Sequence, residues 1–259
     1  MSYALITGSS KGIGKAIAES LAKRKYDLLL VARSGNLLQE TAKEINDNYK
    51  VDVKWLALDL SQQNSAAQVN NWIAENSFPV SVLVNNAGYG LWGNFHELTL
   101  QDQNNMLQLN MGTLINLTHL MIPVLKQQSK AYILNVGSMA GLQALPTLNL
   151  YAASKAFVNL FTRALAHELK QTNISVSLLT PGSVDTNFVE RSGMLHMQKM
   201  SDKMAMTADD VAAIAVKGMF AGKREIVPGF SNRFGALMVR LLPKSIIENI
   251  AASLYKKKN

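Results

Sequence analysis

Apolar residues fall along this chain in two alternating patterns. Short runs, several nearly continuous in Leu, Ile and Val, recur at Tyr3–Thr7, Asp27–Ala32, Val53–Ala57, Val80–Val84, Ala131–Val136, Ile174–Thr180 and Glu225–Val227. Runs of that length without polar alternation suit strands covered on both faces. Between them, apolar positions return every three or four residues over Gly14–Lys25, Leu37–Asn48, Ser65–Asn76, Leu100–Lys126, Tyr151–Lys170 and Ala208–Ala221. That spacing predicts amphipathic helices. Regular alternation of strand and helix predicts a doubly wound α/β fold with a parallel sheet. No repeat, low-complexity tract or linker divides the chain before about residue 230.

The interruptions carry information. Asn85-Asn86-Ala87-Gly88 follows the fourth strand, and Pro181-Gly182-Ser183 follows the sixth. The segment Val184–Met206 holds Met194, Met197, Met200, Met204 and Met206 with few obvious core positions. It reads either as a flexible lid for an apolar ligand or as an amphipathic helix packed into the core.

Bulk properties narrow the classes. With 259 residues, 48% hydrophobic and 17% charged, the chain can bury a large core in one domain. The absence of cysteine excludes disulfides, zinc–thiolate sites and thiol nucleophiles, and no metal site is expected. No basic leader with a cleavage site precedes the first strand, so a cytoplasmic location is expected. No run of about 18 apolar residues suggests a membrane span. The net charge of +8 has no basic stripe with aromatic platforms beside it, so no nucleic-acid partner is expected. A positive field that draws in a phosphorylated cofactor or an acidic substrate is the more economical reading, and a solvated basic surface is equally allowed.

The stretch GSSKGIGKA joins the first strand to the first helix. An ATP-type loop, G-x-x-x-x-G-K-[ST], fails at Ser9 and at Ala16, and G-x-G-x-x-G fails because the glycines stand at 8, 12 and 14. What remains is T-G-x-x-x-G-x-G. A tight glycine loop between strand and helix turns backbone N–H groups and a helix N-terminus toward an anionic group. Further on, Ser138 ends the fifth strand, and Tyr151 and Lys155 stand at i and i+4, on one face of a predicted helix. A phenol with a pKa near ~10 is a poor base, and a neighbouring ammonium lowers that value. With Ser138 hydrogen-bonding the substrate oxygen or the phenol, the three can deliver a proton to a carbonyl oxygen or remove one from an alcohol.

Thr7-Gly8-x-x-x-Gly12-Ile13-Gly14, Asn85-Asn86-Ala87-Gly88, Asn110, Ser138, Tyr151-x-x-x-Lys155 and Pro181-Gly182 together resemble the short-chain dehydrogenase/reductase superfamily over roughly residues 2–230. The resemblance implies a Rossmann-type sheet of seven strands, a nicotinamide dinucleotide and hydride transfer to or from a carbonyl. It implies Tyr151 as acid/base, Lys155 as holder of the nicotinamide ribose, Ser138 as the group polarising the substrate oxygen, and Asn110 as holder of a water in a proton relay. It assigns Gly8, Ser10, Lys11, Gly12, Ile13 and Gly14 to the cofactor loop. Asn86, Ala87 and Gly88 would lie beside the adenine ribose, and Asp59 and Leu60 at the adenine ring, with helix capping the alternative for Asp59. Pro181, Gly182, Val184 and Thr186 would lie beside the nicotinamide.

An NAD-type site wants an acidic residue after the second strand; Arg33 stands there instead. With Lys11, and with hydroxyls from Ser10 and Ser34, it suits a 2′-phosphate, so NADP(H) is expected over NAD(H). Residues 231–259 form a C-terminal extension, read as two short amphipathic helices divided at Pro243 and followed by Lys256-Lys257-Lys258. That end is expected to pack on its own domain, to close a substrate pocket, to meet another subunit, or to touch an anionic membrane. The leading expectation is an NADP(H)-dependent reductase of a ketone or aldehyde on an apolar molecule, a 3-oxoacyl thioester being one candidate. A cofactor-binding redox sensor without turnover is the alternative. By the family's habit a homodimer or homotetramer is expected.

Overall fold

The computed structural model describes residues 2–185, 192 and 205–255. Strands β1 (Tyr3–Thr7), β2 (Asp27–Ala32), β3 (Val53–Ala57), β4 (Val80–Asn85), β5 (Ala131–Val136), β6 (Ile174–Leu179) and β9 (Glu225–Ile226) form one parallel sheet in the order β3-β2-β1-β4-β5-β6-β9. Two further short strands, β7 (Val184–Asp185) and β8 (Met206–Thr207), pair only with each other.

The strands lack polar alternation because both faces are covered. Ala4 and Ile6 of β1 enter one apolar layer while Leu5 enters the other; Leu28 and Leu30 of β2 oppose Leu29 and Val31 in the same way. The first layer is closed by α1 (Gly12–Ala22), α2 (Gly35–Tyr49) and α7 (Ala208–Phe220), the second by α3 (Ser65–Glu75), α5 (Leu114–Lys126) and α6 (Asn149–Glu168). β3 and β9 are the two sheet edges, and Lys54 and Trp55 of β3 are exposed. Strand order reverses between β1 and β4, the point at which doubly wound sheets bind ligands in a crevice beyond the carboxyl ends of their strands.

The helix expected over Leu100–Lys126 is not one α-helix. It runs as α4 (Leu100–Leu107), a π-helical turn (Gln108–Thr113) and α5. Thr113 Oγ1 donates to Gln108 O (3.2 Å) and to Leu60 O, and the Asn110 side chain is held by the chain after β4. These anchors hold a one-residue expansion that swings Asn110 inward, and a π-bulge of this kind is frequent at functional sites. Hydrophobic spacing alone cannot register one extra residue inside a helix.

A 3-10 turn (Met139–Leu142) follows β5, and the C-terminal residues form α8 (Phe230–Leu241) and α9 (Lys244–Tyr255) on either side of Pro243. Arg240 fixes α8 to the sheet edge through both carboxylate oxygens of Glu225 (3.1 and 3.3 Å). α9 inserts Ala251, essentially unexposed, into a cluster with Met106, Leu145, Leu148, Tyr151 and Ala152. The Met-rich segment expected as a lid or packed helix lies largely outside the described residues; of its methionines, Met206 is described and is in β8.

Candidate active site

The glycine loop is closed by its own backbone. Gly8 (φ +67°) and Gly12 (φ +54°) adopt left-handed conformations that glycine takes without steric cost. A Cβ on Gly14 would collide with the Gly8 carbonyl oxygen and lie 2.5 Å from Asn86 Nδ2. Asn86 Nδ2 donates to the carbonyls of Thr7 (2.9 Å) and Gly8 (3.1 Å), while Thr7 Oγ1 accepts from the N–H groups of Asn86 and Ala87. The end of β4 thus holds the loop in shape. α1 begins at Gly12, its N-cap residue Lys11 makes no side-chain cap, and no acidic residue occupies its first turn. Its first N–H groups therefore face outward uncapped, which favours an anion. Ser9 Oγ, fully buried in the same loop, has no hydrogen-bond partner among the described residues. These features fit the phosphates of a dinucleotide.

Around the loop, Lys11 and Arg33 are exposed, and among the described residues neither is in an ion pair. Ser34 is the N-cap residue of α2 without a side-chain cap bond. Asp59 is engaged locally: Oδ1 accepts from Ser61 N (3.0 Å) and Ser61 Oγ (2.8 Å). Burial pushes its pKa up, but the bonds from Ser61 and Gln62, with the charge of Arg33, outweigh that and hold it below the usual value. Asp59 caps this turn rather than a helix; the N-cap residue of α3 is Asn64. The Leu60 carbonyl accepts from Ser65 Oγ (3.0 Å) and Thr113, tying this corner to the π-turn.

Beyond the strand ends, Lys155 lies beside the Tyr151 ring, and Gly88 faces both Lys155 and Asn110. Lys155 is buried, and its Nζ donates to Val136 O at 2.8 Å and lies 6.0 Å from the centroid of the Tyr151 ring. Burial pulls its pKa down to about 8, so the ammonium still predominates at neutral pH. Gly88 keeps the approach open: a Cβ there would lie 2.9 Å from Asn110 Oδ1 and 3.5 Å from Lys155 Nζ. Ser138 caps the 3-10 turn by accepting from Ala140 N (3.0 Å), which leaves its own O–H to donate. Its carbonyl accepts from Asn159 Nδ2 (3.2 Å). Asn110 Oδ1 accepts from Tyr89 N (3.1 Å), and Nδ2 donates to Tyr89 O (3.0 Å) and Ser154 Oγ (3.0 Å). Both Nδ2 hydrogens of Asn110 are thus used by protein groups, and Oδ1 accepts one bond of the two it can take.

Beneath the site runs a buried amide ladder. Asn85 Nδ2 donates to Thr118 Oγ1 (2.9 Å) and Asn135 Oδ1 (2.8 Å), and Asn135 Nδ2 donates to Thr162 Oγ1 (3.0 Å). It locks the ends of β4 and β5 to α5 and α6. Pro181 O accepts from Met139 N (3.0 Å), and Gly182 lies so close to Asn232 of α8 that a Cβ would strike its Oδ1. Val184 is buried in β7; Thr186 lies outside the described residues. Sequence reasoning missed Ser154, Asn159 and Ala251, which reach the site only through tertiary packing.

A family model described as short chain dehydrogenase matches residues 2–194. The chain is 35% identical over 188 residues to very-long-chain 3-oxoacyl-CoA reductase-B of Danio rerio; the match covers 71% of this chain and 60% of that protein. The chain thus spans less than two thirds of that relative's length. It is similar to a solved short-chain dehydrogenase from Sphingobium yanoikuyae in complex with NADPH (29% identity, TM-score 0.82, 92% of each chain). It is also similar to a short-chain dehydrogenase/reductase from Burkholderia phymatum in complex with NAD (25% identity, TM-score 0.85, 95% of this chain and 94% of that one). The fold is therefore one that binds a nicotinamide cofactor, with both forms represented among its neighbours. With the family match spanning most of the chain, and the glycine loop and the Tyr151 and Lys155 pair present in the order that the family model requires, this chain belongs to the short-chain dehydrogenase/reductase superfamily.

Proposed function

We propose that the chain is an NADP(H)-dependent reductase of a ketone or aldehyde carried on a mostly apolar molecule, with 3-oxoacyl thioesters the first class to try. The observation that carries the cofactor preference is the pair of exposed cations, Lys11 and Arg33, with arginine where an NAD-type site would have a carboxylate. Arg33 offers a planar fork to a 2′-phosphate, and Lys11 a second positive charge. The thioester candidate rests on the name of the Danio rerio relative, together with the apolar cluster of Met106, Leu145, Leu148 and Ala152 around Tyr151.

The cofactor, when bound, supplies the hydride; the chain manages the proton. Tyr151 donates its phenolic proton to the carbonyl oxygen as the carbon is reduced. Ser138 holds that oxygen through its unused O–H. Lys155, with Nζ anchored on Val136, favours the phenolate left behind and offers its remaining N–H groups to the ribose. Asn110 acts as a positioning residue: it clamps the chain at Tyr89 to α6 through Ser154, and its π-turn main chain is where a relay water would sit. We further propose that two copies pair through the face of α4, α5 and α6. Leu160 there is 65% exposed, and Leu107, Met111, Ile115 and Phe157 line an open apolar groove.

The test is dinucleotide affinity and turnover over a panel of ketones, aldehydes and 3-oxoacyl thioesters. NADPH should bind more tightly than NADH. Replacing both cations, Lys11→Ala with Arg33→Ala, should weaken NADPH roughly 10- to 100-fold, as the loss of a charge-assisted bond of ~1.5–3 kcal/mol implies, and leave NADH nearly unchanged. Equal loss for both dinucleotides would overturn the 2′-phosphate assignment.

A further inference from the structure

The C-terminal helices carry an apolar face that the domain does not cover. On α8, Phe230, Phe234, Leu237 and Leu241 recur at helical spacing and are all exposed, Phe230 at 83% and Leu241 at 67%. Leu242 follows at the bend, and Ile246 and Ile250 add one exposed stripe on α9. Among the described residues, seven of the twelve exposed large apolar side chains lie in these 21 positions. A contiguous patch of this kind marks an interaction surface.

Charge decides what covers it. Residues 228–259 hold six Lys and Arg against one Glu, a net of +5 out of the chain's +8. Arg233 and Arg240, seven residues apart, run along one flank of the α8 stripe. Arg240 is paired with Glu225, whereas Arg233 makes no ion pair among the described residues and Lys244 is likewise exposed and unpaired. The sequence ends in Lys256-Lys257-Lys258-Asn259. A second copy laid on this face would bring like charge against like charge. An apolar stripe edged by cations matches the boundary of an anionic bilayer, where the apolar side chains enter the acyl region and the cations meet headgroups. No described helix is long and apolar enough to cross a membrane, so the fit is to lying on the surface.

We infer that α8 and α9 dock this protein on an anionic lipid surface. The same helices form a wall of the active site. Ala251 packs in the Tyr151 cluster, and a Cβ at Gly235 would lie 3.7 Å from Met139 Cε, one residue past Ser138. Docking therefore brings the substrate side of the crevice to the lipid, the source of an apolar substrate. The docking does not depend on the reductase reading; only that delivery does.

The experiment is co-sedimentation of the full chain with phosphatidylcholine vesicles, with and without phosphatidylglycerol, in the absence of substrate. At least tenfold stronger partitioning to the anionic vesicles is expected, reduced by salt. The variant Phe230→Ser, Phe234→Ser, Leu241→Ser should lose at least tenfold of that binding. These side chains face solvent, so its thermal midpoint should stay unchanged; if it does not fold, Phe230→Ser alone should lose about threefold. No binding to anionic vesicles, or undiminished binding by the variants, overturns the inference. So does a change in the triple variant's sedimentation mass without lipid, which would make the face a contact between copies.

Discussion

At the scale of single residues, Lys155 shows how burial is tuned to chemistry. Its pKa of about 8 in the folded chain lies below the ordinary 10.5, and desolvation is the cause. The folded state therefore binds this proton less tightly than the unfolded state. The penalty for burying the ammonium is present below pH 8 and is relieved as pH rises toward 10.5. Urea unfolding of wild type and Lys155→Met should thus show the wild type gaining relative stability between pH 8 and 10.5, on the order of 3 kcal/mol for the full shift. A difference independent of pH across that window would show that Lys155 is not desolvated. The sequence made Tyr151 and Lys155 legible because their i, i+4 spacing survives folding unchanged. The carbonyl that anchors Lys155, Val136 O, was not legible, because a main-chain acceptor on another element leaves no mark in residue identity.

Secondary-structure elements were read well where a periodicity was long and uninterrupted. The strand spans agree with the sheet to within a residue at each end, because both faces of each inner strand are apolar. The reading failed at the π-turn, where Asn110 is swung inward by anchors at Tyr89, Ser154 and Leu60, all remote in sequence. The glycine loop is the element whose chemistry and geometry agree most closely. Gly14→Ala should place a methyl against the Gly8 carbonyl and Asn86, groups on backbone and on a hydrogen-bonded amide that cannot easily shift. A loss of ~1–3 kcal/mol or more in unfolding free energy is expected, with weakened dinucleotide binding. Unchanged stability would mean that the contact between loop and helix is looser than described.

Taken whole, the molecule sets one large apolar sheet core behind a crevice at the point where strand order reverses. It places a basic, apolar pair of C-terminal helices beside the same crevice. The alternation of apolar runs foretold the parallel sheet and its covering helices. The packing of Ala251 against the Tyr151 cluster was invisible, since an alanine in an amphipathic tail carries no pattern of its own. Proton transfer by Tyr151 is the central step of the proposed reaction. The most direct test is the rate of NADPH oxidation with the best carbonyl substrate, compared between wild type and Tyr151→Phe, with NADPH affinity measured on both. A fall of ~10²- to 10⁴-fold in turnover is expected, with NADPH binding retained. Turnover unaltered by Tyr151→Phe would rule out Tyr151 as the proton donor.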